Sequence, residues 1–315
     1  MEAIQNALNA LTPAVLFAVL FLGVSIAFFV YYWFAITPRR GTLEWIAMSE
    51  AQPRRMTFTL TRHPMERVDI LPLVLVTVLY ACTAFFRLGD LQGIQSWTRL
   101  QEEQSVSFSL EETCDIAEVR YFTGIGTGSY TLGYSADGQN WSSVTLEQPY
   151  NSLLKWETLV SEDEEGSETP ISLTGKIFRL TAYPDSNSHP SREVLDLGEL
   201  AFFDADGNLL TPVYVDDAGA ALFDEQELVT ETFYTNSSYF DEIYHARTAK
   251  ENIDNIYPYE VSHPPLGKLI ISLGIRLFGM TPFGWRFMGT LFGVLMLPLL
   301  YVFLKNMFGR TAVAT

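Results

Sequence analysis

The chain has 315 residues, 48% of them hydrophobic, and carries 37 acidic against 20 basic side chains for a net charge of −17. Its apolar residues gather in a few runs and its negative charge in the middle, where residues 90–260 hold 32 acidic and 8 basic side chains. That charge balance disfavours nucleic acid as a partner, because phosphate backbones require a basic footprint.

The first apolar run, Pro13 to Ile36, contains no charge. At about 1.5 Å per residue it would cover roughly 36 Å, enough to cross a bilayer with some tilt. A cleaved signal peptide fits less well, since the run is too long for an h-region and Pro38-Arg39-Arg40 follows where small residues would be needed. Residues 1–37 are therefore expected to hold one span and 38–69 a basic loop. A second charge-free run, Ile70 to Phe86, predicts a span over 70–87, and a third, Phe287 to Leu304, predicts one within 281–315. Arg39, Arg40, Arg54, Arg55, Arg62 and Arg67 lie between the first two spans, whereas residues 1–12 have no lysine or arginine. The basic loop is thus expected to be cytoplasmic, the N-terminus and the large acidic segment outside, and Lys305 and Arg310 inside. Cys82, within a span, and Cys114, outside, are too differently placed to form an intrachain disulfide.

From Ser105 to about Val213 the pattern has period two, in short runs such as SVSFSL, EVRYF, SYTLGYS, KIFRLTAY and ELAFF separated by Gly, Asp, Asn and Ser. This predicts an all-β sandwich over 91–215. Ala136 to Asn140 and Asp204 to Asn208 are turn signals, and the acidic run Ser161 to Glu168 reads as a solvated loop. The second turn lacks the glycine and glutamate that a calcium loop would need at its sixth and twelfth positions. SYTLGYSADGQNWSSV together with LGELAFFDADGNLLTPV resembles a discoidin-type, galactose-binding-like jelly roll. Trp97, Trp141 and Trp156 are candidates for stacking on a sugar ring, with burial in the core the plainer expectation.

A linker, Asp216 to Thr235, leads to a segment over 216–280 that carries the chemistry. Ser238 to Asp241 has the S-x-x-D spacing that caps a helix, which would put Asp241 and Glu242 in its first turn. Asp241, His245, Thr248 and Asn252 share a face, with Glu242 about 100° away. Adjacent acids on one helix cannot flank a glycosidic bond, so a two-carboxylate glycosidase is disfavoured, while one acid could act as a general base. Pro264 and Pro265 are expected to forbid helix and hold His263 extended. From Lys268 an amphipathic pattern begins, with Lys268, Ser272 and Arg276 four apart, predicting a helix in the membrane interface whose cations reach to water. Arg286 stands at the mouth of the third span, as an interfacial anchor, a phosphate ligand or both.

FFRLGD (Phe85–Asp90), FDEIYHARTA (Phe240–Ala249), HPPLGK (His263–Lys268) and LFGMTPFGWRFMGTLFG (Leu277–Gly293) occur in one order along this topology. Together they resemble the start of the protein O-mannosyltransferase family, lipid-carrier-dependent glycosyltransferases of the GT-C class. The resemblance implies a membrane α-helical protein of GT-C type, here with three spans and an extracytoplasmic β-sandwich inserted into its first external loop. It assigns Asp241, beside Glu242, as the base that deprotonates an acceptor hydroxyl. It implies a polyprenyl-phosphate-linked sugar as donor, inversion at the anomeric carbon, and Arg286 as ligand of the departing phosphate. Arg87 and Lys268 are further candidates for that anion, and His245 and His263 for orienting the acid or the acceptor. No metal site is expected, and a divalent cation is left open. The chain departs from the family in the inserted sandwich, in the span before the usual first one, and in having three spans where members have many. It is therefore expected to be a fragment, or to need a second polypeptide, and to be inactive alone. The alternative is a non-catalytic, membrane-anchored protein whose sandwich binds a glycan.

Overall fold

The computed structural model describes residues 63–162, 168–185 and 194–315, together with Gly23, Val24, Ile26, Ala27 and Val30. The chain divides into a unit of Met1–Leu60 and a unit of Thr61–Thr315. In the first unit the five described residues are helical and exposed. The rest of the first expected span, and the basic loop up to residue 62, lie outside the described residues.

The second unit opens with α1, Arg67–Phe85, which pairs with α4, Pro282–Phe308. Both are long and apolar enough to cross a membrane, and only 6% and 11% of their most apolar windows are buried in the protein. A core helix of a soluble protein would bury far more, so these surfaces fit lipid as solvent. The start of α1 meets the end of α4: Asp69, fully buried, is 3.2 Å from Lys305 Nζ and accepts a 2.6 Å bond from Thr311 Oγ1 in the short helix α5, Thr311–Ala314. No local pattern marks this pair, because Asp69 reads as the edge of a basic loop and Lys305 as a flanking charge.

Between α1 and α4 stands the expected sandwich. β1 (Thr98–Gln101), β10 (Val194–Phe203), β3 (Glu118–Thr123) and β6 (Trp156–Thr158) are neighbours in that order in one antiparallel sheet, with β11 (Leu209–Leu210) on β10. β12 (Tyr214–Val215), β2 (Ser105–Ile116), β9 (Leu173–Pro184), β4 (Gly128–Ser135) and β5 (Ser142–Gln148) form the other. A hairpin of β7 (Val160–Glu162) and β8 (Glu168–Pro170) stands apart. In β2 the alternation is direct, with Val106, Phe108 and Leu110 buried. Phe108 stacks on Phe178 at 5.2 Å and packs against Phe202 and Phe223, which joins the two inner faces. The Ser135–Asn140 turn forms as expected: Gly138 has φ +76°, and the Asp137 carboxylate accepts the Gln139 and Asn140 amides at 2.8 Å. Trp156 is buried, whereas Trp141 is 43% exposed and lies against its own turn, donating to Gly138 O.

β10 is buried along both faces, and Glu199 in it is fully enclosed. It accepts from the Gln226 side chain and the Glu225 amide. Burial, aided by the charges of Asp224 and Glu225, pushes its pKa up to about 8. The folded state then holds a proton that the unfolded chain releases above the ordinary glutamate range, so stability falls as pH rises through that window and levels off beyond about 8. Glu199→Gln should leave the melting temperature of the chain nearly unchanged at pH 4.5 and raise it by roughly 3 °C or more at pH 8. Equal shifts at both pH values would contradict a buried, protonated Glu199.

After two short 3-10 turns come α2, Glu242–Ile253, and α3, Pro265–Phe278. Pro265 is the first residue of α3, contrary to the expectation that the proline pair forbids helix. A proline there loses only an N–H that has no helical partner, and its fixed φ suits the first turn. α3 is amphipathic in reverse. Leu266, Leu269, Leu273 and Leu277 are exposed, whereas Lys268 and Ser272 are buried against the rest of the protein. Lys268 therefore does not extend to water as expected; its ammonium donates to the Glu260 carbonyl at 2.7 Å and pairs with the Glu260 carboxylate. α3 and α4 approach closely because Gly274 has no side chain: a Cβ there would lie 2.4 Å from the Gly284 carbonyl oxygen.

Candidate functional site

The acid pair lies at the start of α2, Asp241 in the N-cap position and Glu242 as the first helical residue. Ser238 does not cap the helix. Its hydroxyl donates instead to Leu153 O, and its amide donates to Leu154 O at 3.0 Å, so a tertiary partner has displaced the local one.

The two acids, adjacent in sequence, have opposite fates. Glu242 accepts from Arg286 Nε and Nη2, both at 2.7 Å, from Trp285 Nε1 at 3.1 Å and from the Tyr239 amide at 3.0 Å. Asp241 is exposed, and its carboxylate takes no hydrogen bond or ion pair from any described residue. It opens on a cavity of about 400 Å³ lined by Tyr150, Asn151, Lys155, Ser238, Tyr239, Phe240, Ile243 and Tyr244.

Arg286 is not the free guanidinium expected of a phosphate ligand. Beyond Glu242 it donates from Nη1 to Leu88 O and Tyr234 O and from Nη2 to Ser237 O, each at 2.9 Å, with the Tyr234 ring 4.4 Å from its central carbon. All five N–H groups are engaged, which is the full capacity of a guanidinium. The side chain thereby ties the RLGD loop after α1, the Tyr234–Glu242 segment and α4 into one unit. Two further backbone bonds support this, Asp90 N to Thr235 O at 2.7 Å and Phe283 N to Asp90 O at 3.3 Å. Gly89 permits the approach, since a Cβ there would lie 2.7 Å from the Phe283 nitrogen.

His245 lies one turn along α2 on the Asp241 face, its ring 5.8 Å from that of His263. Burial, with Lys268 and His263 nearby, lowers its pKa against the opposing pull of Asp241, so it is a neutral imidazole near pH 7. His263 Nδ1 is 3.1 Å from Glu260, the same carboxylate that holds Lys268. The structure thus gathers Asp241, His245, His263 and Lys268, and separates Glu242 and Arg286 from them as a closed pair. Arg87 is exposed at the end of α1, in a left-handed conformation with φ +52°, and makes no hydrogen bond or ion pair among the described residues. Glu260 and the Tyr150–Lys155 loop were missed from sequence, the first because nothing in EVSHPP marks a lysine partner eight residues on, the second because it carries no motif.

The β-sandwich is joined to this site at both ends of α2. Leu153 and Leu154, from the β5–β6 connection, are buried in one cluster with Ala246, Ala249, Ile275, Met280 and Trp285. At the other end Arg99 bridges Asp196 of β10, at 2.6 Å, and Asp254 at the end of α2, at 3.2 Å.

α1, α3 and α4 thus expose apolar surface, and the open Asp241 carboxylate stands at the start of α2. Residues 262–315 match the family model described as dolichyl-phosphate-mannose-protein mannosyltransferase, in agreement with the resemblance seen in the motifs. A polyprenol-phosphate-mannose–protein mannosyltransferase of Mycobacterium tuberculosis is 32% identical over 97 residues, covering 31% of this chain and 16% of that protein. The enzyme of the same name from Corynebacterium glutamicum is 32% identical over 97 residues, covering 30% and 18%. The matched segments span less than a fifth of these relatives' length. Among solved structures, a pectin-binding carbohydrate-binding module is similar at 20% identity and a TM-score of 0.25, over 35% of this chain and 72% of that one. CpGH89CBM32-6 produced by Clostridium perfringens is similar at 21% and 0.25, over 38% and 83%. At that level these two likenesses decide nothing about this chain.

Proposed function

We propose that the chain is the N-terminal part of an inverting membrane glycosyltransferase that moves mannose from a polyprenyl phosphate to a protein hydroxyl. The observation that carries this reading is the division of the acid pair: Glu242 is consumed by Arg286, so Asp241 alone is left unpaired at the groove, ready to accept a proton. The names of the relatives supply the donor, and the exposed apolar faces of α1, α3 and α4 fit a multi-pass protein of the cell membrane whose sandwich stands on the extracytoplasmic side. In the reaction the Asp241 carboxylate takes the proton of the acceptor hydroxyl. The oxygen attacks the anomeric carbon from the face opposite the carrier, the bond from that carbon to the phosphate oxygen breaks, and the lipid phosphate leaves with the electron pair. His245, neutral and on the same face, orients the carboxylate or the acceptor together with His263.

Arg87 is the better candidate for the departing phosphate, because Arg286 has no donor left and Lys268 is neutralised by Glu260. Arg286 then acts as a positioning residue, holding Glu242 and with it the start of α2. The test is the anomeric configuration of the product. Transfer from polyprenyl-phosphate-mannose to a threonine peptide by membranes carrying the complete enzyme should give the anomer opposite to the donor's, read by NMR. Retention would overturn the single-displacement scheme and with it the role of Asp241 as base.

A further inference from the structure

The groove at Asp241 has two walls of different origin. One is the segment Ser238–Tyr244, which any enzyme built on this helix would supply. The other is Tyr150, Asn151 and Lys155, which belong to the β-sandwich. We propose that the sandwich, through this loop, forms the acceptor subsite, and that its occupant is an extended polypeptide segment bearing the hydroxyl to be modified; this rests on the transfer reading given above.

Three observations carry it. First, the loop is held in place and is not a loose lid. Leu153 and Leu154 are buried beneath α2, Leu154 N donates to Thr123 O at 2.9 Å, and the Ser238 amide and hydroxyl donate back to Leu154 O and Leu153 O. The wall therefore keeps a constant distance from Asp241, as a specificity surface must. Second, the rim presents aromatic surface to solvent: Tyr150 is 52% exposed, and Tyr239, whose ring meets that of Tyr234 edge to face at 5.9 Å, is still 65% exposed. Exposed tyrosines beside a polar amide such as Asn151 suit a peptide, whose backbone offers N–H and C=O groups and whose side chains offer apolar surface. Third, the charge in the wall is spent. Lys155 Nζ is 2.8 Å from Glu157, so this side is no place for a phosphate, and the lipid carrier must enter from the α1 and α4 side where Arg87 stands. Donor and acceptor thus approach Asp241 from the membrane and from the sandwich.

The experiment places the photoreactive residue p-benzoylphenylalanine at position 150 of the full chain in membranes, and as a control at Gln139. Gln139 lies in the turn at the far end of β5, roughly 20 Å away by strand length. With a biotinylated threonine-containing peptide, capture at 150 should exceed that at 139 about tenfold, and Asn151→Ala should lower it by about the same factor, the equivalent of one lost hydrogen bond. Capture should be competed by unlabelled peptide and not by an oligomannoside, and it should persist in Asp241→Asn. Equal capture at both positions, or competition by the oligomannoside alone, would overturn the proposal. The two readings fail separately. If Asp241→Asn abolishes transfer but position 150 captures nothing, only the acceptor wall is lost; if position 150 captures peptide while Asp241→Asn leaves transfer unchanged, the wall stands and the chemistry falls.

Discussion

Asp241→Asn is expected to lower mannosyl transfer by about 10²- to 10⁴-fold, the range that a positioned general base contributes, while leaving thermal stability close to wild type. The second half of that expectation matters as much as the first. The Asp241 side chain is exposed and its carboxylate accepts no bond from the described residues, so the isosteric amide removes no structural contact. A loss of turnover at constant melting temperature would therefore report chemistry rather than unfolding. Its neighbour behaves in the opposite way, since Glu242→Gln exchanges an ionised acceptor for an amide whose NH₂ would face a guanidinium. That change should weaken the fold and reduce transfer only as far as the start of α2 loses its position. Assays on purified enzyme, run with donor in excess so that kcat is read directly, should show undiminished transfer for neither variant; an unaltered kcat in Asp241→Asn would remove the base from the proposed reaction.

The parts of this architecture that were legible in the sequence are those written in a period. Alternation placed β2, β4 and β9, since each of these strands turns one face to a common aromatic core, while β10, buried on both faces, showed as the apolar run ELAFF. Charge-free runs placed α1 and α4 to within a few residues. What failed to show was set by contacts between segments far apart in the chain. Ser238 has a capping spacing and no capping bond, because a carbonyl of the β5–β6 connection, 85 residues away, competes for its hydroxyl. Lys268 and Arg276 occupy equivalent positions in one pattern, yet Glu260 folds over the first and not the second. Pro265 looks like a barrier to helix, yet its position at the first turn makes it a start signal. The acid pair could be recognised as chemically interesting, but which member stays free depends on where Arg286 points, and no local pattern encodes that. The resemblance to a family correctly gathered the motifs. It could not say that an arginine at the right position has every donor turned inward.

That saturation makes Arg286→Met the variant with the largest expected effect on stability. Removing the guanidinium leaves Glu242 without its partner, and three carbonyls, those of Leu88, Tyr234 and Ser237, lose their donor together. Breaking one side of a buried, hydrogen-bonded pair costs about 3–5 kcal/mol. The side chain is 5% exposed, so water cannot readily replace what is lost. Arg286→Lys keeps the charge but has three donors in place of five and no planar fork, so it should recover the ion pair and forfeit at least one of the carbonyls. Hydrogen exchange gives the local readout: amides of residues 234–242 and 86–90 should lose protection in Arg286→Met before those of β2 or β9 do. A double-mutant cycle with Glu242→Gln then separates the two models of this arginine. If its main task is to hold the acid and the loops, the two substitutions are strongly non-additive in melting temperature, and transfer falls in proportion to lost order. A phosphate ligand would show the reverse, a stability near wild type with a raised KM for the lipid donor, and that pattern would return Arg286 to the reacting centre.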